Sequence, residues 1–261
     1  MSDNFDRCVA VTLSYEGGND ADPHDPGGRT SRGITQREWN TYRGTRSQYR
    51  NFTDVWTAPQ GAVVDIYRSE YFDPVAGAQW PIGCDLVVFD GGVNSGLGKS
   101  LVWARSALAQ RTGSFVLLAA LSQKELDKTL FVKRYQAARL SFLQALRTWQ
   151  YFGRGWRSRV AGIEAIATRW IVAGTEPTDV APALEKEASV SRDKRNAASG
   201  SAAAAPAAPI AHHAVVPHDS WLNYAVDVIL VVGVIYLVVW LIHVYLNHDA
   251  RATAFVEESK K

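Results

Sequence analysis

Apolar residues recur with a helical period through the first 173 residues of the chain. Phe5, Val9 and Leu13 lie four positions apart, and this spacing predicts a helix over about residues 3–15 with one buried face. The same reasoning predicts further helices over about residues 53–71, 99–111, 123–148 and 157–173. Ser122, in an S-x-x-E capping box, is expected to start the helix over residues 123–148. These patterns predict a globule built mainly from helices.

Two short segments depart from this helical pattern. Residues 86–89 form an apolar run, and the glycine-rich sequence D-G-G-V-N-S-G after it predicts a break in regular structure. Residues 30–35 fit a small hairpin, but no set of segments alternates with a period of two. The expected fold class is therefore mainly α with at most a small β-hairpin.

The composition changes after residue 173. Residues 197–209 are almost entirely Ala, Ser, Gly and Pro, so a flexible, disordered linker is expected over residues 174–219. Residues 221–246 are strongly apolar, carry no charge from Val228 to Ile242, and have Trp and Tyr toward both ends. A helix of this length spans a hydrocarbon layer of about 30 Å, so the run predicts a transmembrane helix followed by a charged tail over residues 247–261.

Charge and cysteine content exclude few classes of protein. The formal net charge is +2, and the excess of basic residues before residue 174 suits an anionic polymer, although a solvated surface is the preferred explanation. Cys8 and Cys84 both lie among apolar residues, which favours buried free thiols over a disulfide or a metal site. The polar start M-S-D-N-F-D-R predicts no secretory signal.

The candidate chemistry begins where the first predicted helix ends. Glu16 is followed by Gly17 and Gly18, which are expected to end the helix because glycine accepts the left-handed conformation. The negative end of the helix dipole and the neighbouring Tyr15 ring both disfavour an ionised carboxyl at Glu16. A carboxyl that stays neutral is what a general acid requires.

A loop rich in glycine and carboxylates follows Glu16. Glycoside hydrolysis needs a protonated acid and, near the anomeric carbon, a second carboxylate or an activated water. Asp25 is the candidate for this second role, and Thr30 is the candidate for holding the water. Asp20 and Asp22 are expected to cap turns, and for Asp25 turn capping and catalysis are equally good interpretations.

This segment resembles the signature of glycoside hydrolase family 108, the N-acetylmuramidase group also called secretion-activator proteins. The family's E-G-G motif is similar to residues 16–18, and its D-P-x-D-x-G-G-x-T-x-x-G-I-T motif is similar to residues 22–35. The resemblance implies a lysozyme-like fold and makes Glu16 the catalytic acid. Asn19 stands where the family usually has an aromatic residue.

The resemblance continues through residues 66–72, 89–96 and 151–159 and ends near residue 173. It implies a catalytic domain over residues 1–95 and a helical peptidoglycan-binding-like domain over residues 96–173, packed on the first. Within these domains, residues expected to contact substrate or border the cleft are Gly17, Arg29, Arg32, Asp90 and Asn94.

The resulting functional hypothesis is a membrane-tethered, endolysin-like peptidoglycan hydrolase that cleaves the β-1,4 bond between N-acetylmuramic acid and N-acetylglucosamine. A lytic transglycosylase is one alternative, and a non-catalytic, peptidoglycan-binding or secretion-associated factor is the other. No metal or organic cofactor and no nucleic-acid partner is expected. The expected location is the bacterial inner membrane, with the globule acting on the periplasmic cell wall, either after a holin acts during phage lysis or permanently.

Overall fold

The computed structural model describes residues 4–21, 29–110, 112–125, 127–175, 180–204 and 221–260. The chain forms two compact units, Met1–Gly153 and Arg154–Lys261. Both are mainly helical, as the sequence predicts.

The first unit contains seven complete helices among its described residues, and an eighth begins there and continues into the second unit. They are α1 (Phe5–Tyr15), α2 (Gln36–Gly44), α3 (Gln60–Tyr67), α4 (Cys84–Ser95), α5 (Leu97–Ala107), α6 (Phe115–Glu125), α7 (Lys128–Gln144) and α8 (Trp149–Thr175). Single 3-10 turns lie at Ser47–Tyr49, Val55–Thr57 and Gly77–Gln79, and a π turn at Arg68–Phe72 extends α3.

A small antiparallel sheet separates α1 from α2. Its strands are β1 (Asn19–Asp20), β2 (Thr30–Ser31) and β3 (Ile34–Thr35), paired in that order. The β2–β3 hairpin turns at Arg32 and Gly33, whose φ angles are 50° and 75°. Two consecutive positive φ values are the requirement of a type I′ turn, which matches the twist of a hairpin. The predicted hairpin is confirmed, and β1 adds a strand that the sequence did not indicate.

Aromatic packing between α1, α4 and the π turn forms the core around the sheet. The Phe5 ring lies 5.1 Å from that of Phe72 and 6.2 Å from that of Phe89. Cys8 and Cys84 are fully buried free thiols, as predicted. Burial strongly raises the pKa of the Cys84 thiol, so it stays protonated.

Two predicted helix starts are wrong. The helix expected from residue 53 starts at Gln60, since Pro59 fits a helix start but not an interior. The helix expected over residues 123–148 starts at Lys128, where the Asp127 carboxylate accepts from the Leu130 N–H at 3.0 Å. Ser122 lies inside α6 instead of capping a helix.

The predicted break after residue 89 is also wrong, because α4 runs through Gly91 and Gly92 to Ser95. These glycines allow close packing. A Cβ at Gly91 would collide with the Tyr135 hydroxyl of α7, and one at Gly92 would lie 3.2 Å from Leu97. Glycine within a helix marks a close helix contact here, not an end to the helix.

The second unit contains the rest of α8, α9 (Val180–Ala204) and α10 (Trp221–Ser259). The linker prediction is wrong for residues 180–204, because Ala, Glu, Lys and Arg are strong helix formers and α9 gains a partner. Ala188 of α9 is buried with Ala165 and Phe255. The predicted charged tail is helical through Ser259.

Ion pairs join α10 to both other helices of the second unit. Arg251 binds Glu164 through two hydrogen bonds of 2.6 and 3.0 Å. The Arg195–Asp249 pair measures 2.9 Å and the Arg169–Glu258 pair measures 3.0 Å. Within the described part of the chain, no helix combines the length and the apolar character needed to cross a membrane.

Candidate active site

Glu16 lies where α1 ends, as predicted, and its side chain is half-buried. The route out of the helix differs from the prediction. Glu16 itself turns to an extended conformation, with φ −80° and ψ 143°, and its N–H donates to the Leu13 carbonyl at 3.2 Å. Neither Gly17 nor Gly18 has a positive φ. The helix therefore ends at the candidate acid and not at a left-handed glycine.

The hairpin turn brings Gly33 against the Glu16 carboxyl. A Cβ at Gly33 would lie 2.9 Å from Glu16 Oε2 and 2.6 Å from the Tyr67 hydroxyl oxygen. The Tyr67 hydroxyl donates to the Arg32 carbonyl at 2.8 Å, which fixes the turn on α3. The end of α1, the β2–β3 turn and α3 therefore converge on one carboxyl group.

Tyr71 lies in the same group of side chains, one helical turn after Tyr67, with ring centroids 5.6 Å apart. Burial raises the pKa of Tyr71 to about 12, helped by the negative charges of Glu38, Glu16 and Glu70, and its hydroxyl is hydrogen-bonded to Glu38. Its phenol therefore stays protonated at neutral pH and donates its one hydrogen bond to the Glu38 carboxylate.

Glu38 is held by the N-terminus of α2. The Thr35 N–H and hydroxyl each donate to Glu38 Oε2 at 2.8 Å, and the Thr35 hydroxyl accepts from the Glu38 N–H at 3.2 Å. This reciprocal capping box stabilises the helix start. It also fixes a carboxylate next to Tyr71.

A cavity of about 510 Å³ opens beside these groups. Its walls come from β3, α2, α3, the π turn and the start of α5. The lining residues are Ile34, Arg37, Glu38, Thr41, Tyr42, Thr45, Arg46, Ile66, Glu70, Tyr71, Gly96 and Leu97. Tyr71 lines the cavity, and the nearby charge of Glu16 contributes to raising its pKa. The cavity and the candidate acid are therefore neighbours.

Of the other two candidate catalytic residues, the structure describes only Thr30. Asp25 lies outside the described residues, as does Asp22. Thr30 is half-buried in β2, where it pairs with Asp20 on one side and Thr35 on the other. The Thr30 carbonyl accepts from the Trp56 indole at 3.1 Å. Their catalytic roles remain predictions.

Arg29 and Arg32 both anchor the hairpin to the segment that precedes α3. The Arg29 guanidinium pairs with Asp54 at 2.5 Å and lies 3.7 Å over the Trp56 ring. The Arg32 guanidinium donates to the Ala58 carbonyl and to the Gln60 side chain, both at 2.8 Å. These contacts give both arginines a structural role, and substrate contact by either one remains a prediction.

Asp90 and Asn94 lie in the α4–α7 contact, where Asp90 is buried, and substrate contact by the half-buried Asn94 remains a prediction. Asp90 and Arg139 form an ion pair of 2.7 Å in which neither side chain is exposed. Arg139 also donates to Asn94 at 3.0 Å. Asp90 was predicted to border the cleft, and the correction follows from this buried pairing. Gly17 is exposed, and no atom lies within 4 Å of the position that a Cβ would occupy there.

Sequence reasoning overlooked Glu38, Tyr67 and Tyr71 as members of the site, although each had a signal. Thr35 and Glu38 form a T-x-x-E capping box that follows the hairpin. The four-residue spacing of Tyr67 and Tyr71 places their side chains on the same helical face.

Residues 9–96 match the model of a known protein family. The matched segment runs from α1 past the end of α4, and it includes Glu16, the hairpin and Tyr71. It is a glycoside hydrolase domain, so the protein is an enzyme that hydrolyses glycosidic bonds. The family whose model matches this segment is glycosyl hydrolase 108.

The chain is also similar to a solved structure. The chain is 28% identical to the protein in "Structure of Brucella abortus SagA", with a TM-score of 0.53. The match covers 64% of this chain and 95% of that one. No curated protein matches this sequence.

Proposed function

We propose that the protein is a peptidoglycan hydrolase that cleaves the β-1,4 bond between N-acetylmuramic acid and N-acetylglucosamine, with Glu16 as the general acid. The observation that carries this proposal is the position of the Glu16 carboxyl. It lies at the hairpin turn, within the glycosyl hydrolase 108 segment, next to a cavity lined by Tyr71.

In this mechanism Glu16 gives its proton to the glycosidic oxygen as the bond to the anomeric carbon breaks. Charge then develops on the sugar as an oxocarbenium-like state, and a water completes the hydrolysis. Asp25 and Thr30 are proposed to stabilise this state and direct the water. Gly33 leaves the space in which the Glu16 carboxyl sits.

Replacing Glu16 by Gln tests the assignment. The variant keeps the shape of the side chain but cannot act as an acid, so we expect turnover of purified peptidoglycan to fall by about 10²-fold or more. Asp6→Asn is the matched control, because Asp6 is an exposed carboxylate on the same helix. Wild-type activity in folded Glu16→Gln would rule out Glu16 as the acid.

The reaction products separate hydrolysis from transglycosylation. Hydrolysis gives reducing N-acetylmuramic acid ends, whereas a lytic transglycosylase gives anhydro-muramoyl ends that are lighter by one water. Mass spectrometry of the digest therefore decides between them. A zymogram that shows no clearing while the protein still binds peptidoglycan would favour the secretion-associated binding factor.

Membrane tethering is the second part of the proposal. The described part of α10 does not by itself supply a membrane span. The proposal rests instead on the sequence of residues 221–246 and on the exposed apolar side chains that α10 carries there, among them Ile235, Trp240 and Ile242. The expected host membrane is the bacterial inner membrane.

Fractionation of cells tests this tether. The full chain is expected in the membrane fraction, and a chain ending at residue 219 in the soluble one. Protease treatment of spheroplasts before lysis then tests the endolysin hypothesis, in which the globule waits on the cytoplasmic side until a holin acts. Digestion of the globule from outside would favour a permanently periplasmic enzyme.

A further inference from the structure

The cavity beside Glu16 has four charged side chains in its lining, and two of them are occupied within the protein. Glu38 is bound by Thr35 and Tyr71. The Arg46 guanidinium lies 3.6 Å over the Tyr42 ring and donates to the Tyr42 carbonyl and the Thr45 hydroxyl at 3.1 and 3.0 Å. These two side chains shape the wall of the cavity.

The other two charged side chains are available to a ligand. Arg37 is exposed, and across the described residues its guanidinium has no hydrogen-bond or ion-pair partner. Glu70 is exposed, and its only hydrogen bond within that part of the chain is a long one of 3.4 Å from the Ser69 hydroxyl. Among the described residues, the cavity lining therefore offers a ligand one exposed cation and one exposed anion.

Apolar groups that are less exposed than these two charges also line the cavity. Ile34 and Ile66 are almost fully buried, and Leu97 and the Tyr71 ring are half-buried. A ligand that fits this lining has a carboxylate and an ammonium group joined by an aliphatic chain. The volume of about 510 Å³ is in the ordinary range for small-molecule sites and accommodates a short peptide.

We infer that this cavity binds the peptide stem of a muramoyl residue, with Arg37 contacting a stem carboxylate and Glu70 contacting the free ammonium group of a diamino acid. The inference rests on the proposed function. A glycan whose scissile oxygen reaches Glu16 carries its peptide on an adjacent sugar, and the cavity begins at Tyr71, next to Glu16. Arg37 and Glu70 thus select peptide-bearing glycan over bare glycan.

The test compares intact peptidoglycan fragments with the same glycan chains after an amidase has removed the peptides. We expect the wild type to have a higher kcat/KM on the peptide-bearing substrate. Arg37→Gln and Glu70→Gln should each raise KM on that substrate by about tenfold, as loss of a charge-assisted hydrogen bond does. Both should leave cleavage of the stripped glycan unchanged. Arg50→Gln is the control, because Arg50 is exposed and does not line the cavity.

Each contrary result has a distinct meaning. Equal wild-type activity on both substrates, or variants that lose activity equally on both, would overturn the peptide-stem site and leave the hydrolase proposal intact. Absence of cleavage of either substrate by the wild type would overturn the proposed function and this site with it.

Discussion

At the scale of single residues, the position of the Glu16 carboxyl depends on Gly33, a residue with no side chain. Gly33 has a φ of 75°, and a Cβ there would lie within 3 Å of both Glu16 and Tyr67. Any other residue at this position needs both a strained backbone and a shift of two neighbours. The hairpin thereby controls the geometry of the candidate acid.

Gly33→Ala is therefore expected to damage activity more than stability. The left-handed backbone costs about 1–2 kcal/mol with a Cβ, whereas a displacement of the carboxyl by about 1 Å lowers turnover by about 10²-fold. Peptidoglycan hydrolysis and thermal unfolding measure the two effects. Gly44→Ala is the control, since nothing surrounds its Cβ position. Normal turnover in Gly33→Ala would show that the contact is not functional.

Asp85 provides a pH-dependent test of the core. Burial raises the pKa of Asp85 to about 6, although hydrogen bonds from Asn4, Leu86 and Gly83 act in the opposite direction. The folded state therefore holds the proton more tightly than the unfolded chain. Proton binding by Asp85 therefore adds on the order of 3 kcal/mol to the free energy of unfolding below pH 4. This stabilisation is lost as the pH rises to about 6.

Asp85→Asn removes this titration and keeps an oxygen acceptor for the Gly83 and Leu86 N–H groups, which lie 2.8 and 2.7 Å from the present carboxylate. The Asn4 amide, which donates to the other carboxylate oxygen at 3.0 Å, is expected to flip and present its own oxygen to the new NH2 group. The variant should unfold at higher denaturant concentration than the wild type at pH 7.5, with little difference at pH 4. Denaturation at several pH values measures this. Parallel stability curves for the two proteins would contradict the raised pKa.

Sequence reasoning succeeds at the residue scale where a position in the fold depends on neighbours in the chain, as for Glu16 at the end of α1. Glu16 is recognisable because it lies between a helical pattern and a glycine pair. Asp90 was misassigned because a carboxylate next to two glycines is typical of an exposed turn, and its partner Arg139 is 49 positions away. Pairing over that distance depends on how α4 and α7 pack.

At the scale of elements, the local sequence pattern predicts that the hairpin and most helices exist. It does not predict the residues at which the helices begin and end. The sequence T-S-R-G-I-T contains a glycine where a type I′ turn needs one, so the hairpin was predictable. The two-residue strand β1 has no pattern of its own. Ser122 and Asp127 are both good caps by residue type, but Ser122 falls within α6 and Asp127 caps α7.

The contact between α4 and α7 depends on the buried Asp90–Arg139 pair. Arg139→Met should cost about 3–5 kcal/mol of unfolding free energy, because it leaves the Asp90 carboxylate buried without its partner. The double variant Asp90→Asn, Arg139→Met should recover part of this loss. Chemical denaturation measures both. A double variant that is as unstable as the sum of the two single ones would show that the residues act independently.

At the scale of the whole molecule, the candidate active site and the ion pairs of α10 lie in different units. The family match and the cavity lie within residues 1–153, and the ion pairs of α10 lie within residues 154–261. The linker prediction failed because composition alone does not show that an Ala-rich segment has a helix to pack on. Burial of Ala188 and Phe255 decides that α9 is helical.

This division predicts that weakening the second unit spares catalysis. Arg251→Gln leaves the buried Glu164 carboxylate without its guanidinium partner, at a cost of about 3 kcal/mol to that unit. Cleavage of soluble glycan fragments should remain unchanged. Helical circular dichroism during heating reports the first effect, and a reducing-sugar assay reports the second. A matching loss of turnover would show that the second unit supports the catalytic one.

The two cysteines give the first unit an internal reporter. Cys8 on α1 and Cys84 on α4 are completely shielded from solvent on the helices that form the core beside Glu16. A thiol-specific reagent at neutral pH can label them only in molecules whose α1–α4 packing has opened. The labelling rate of the unmodified enzyme therefore measures how often this core opens, and bound glycan should slow it if the substrate stabilises the closed form.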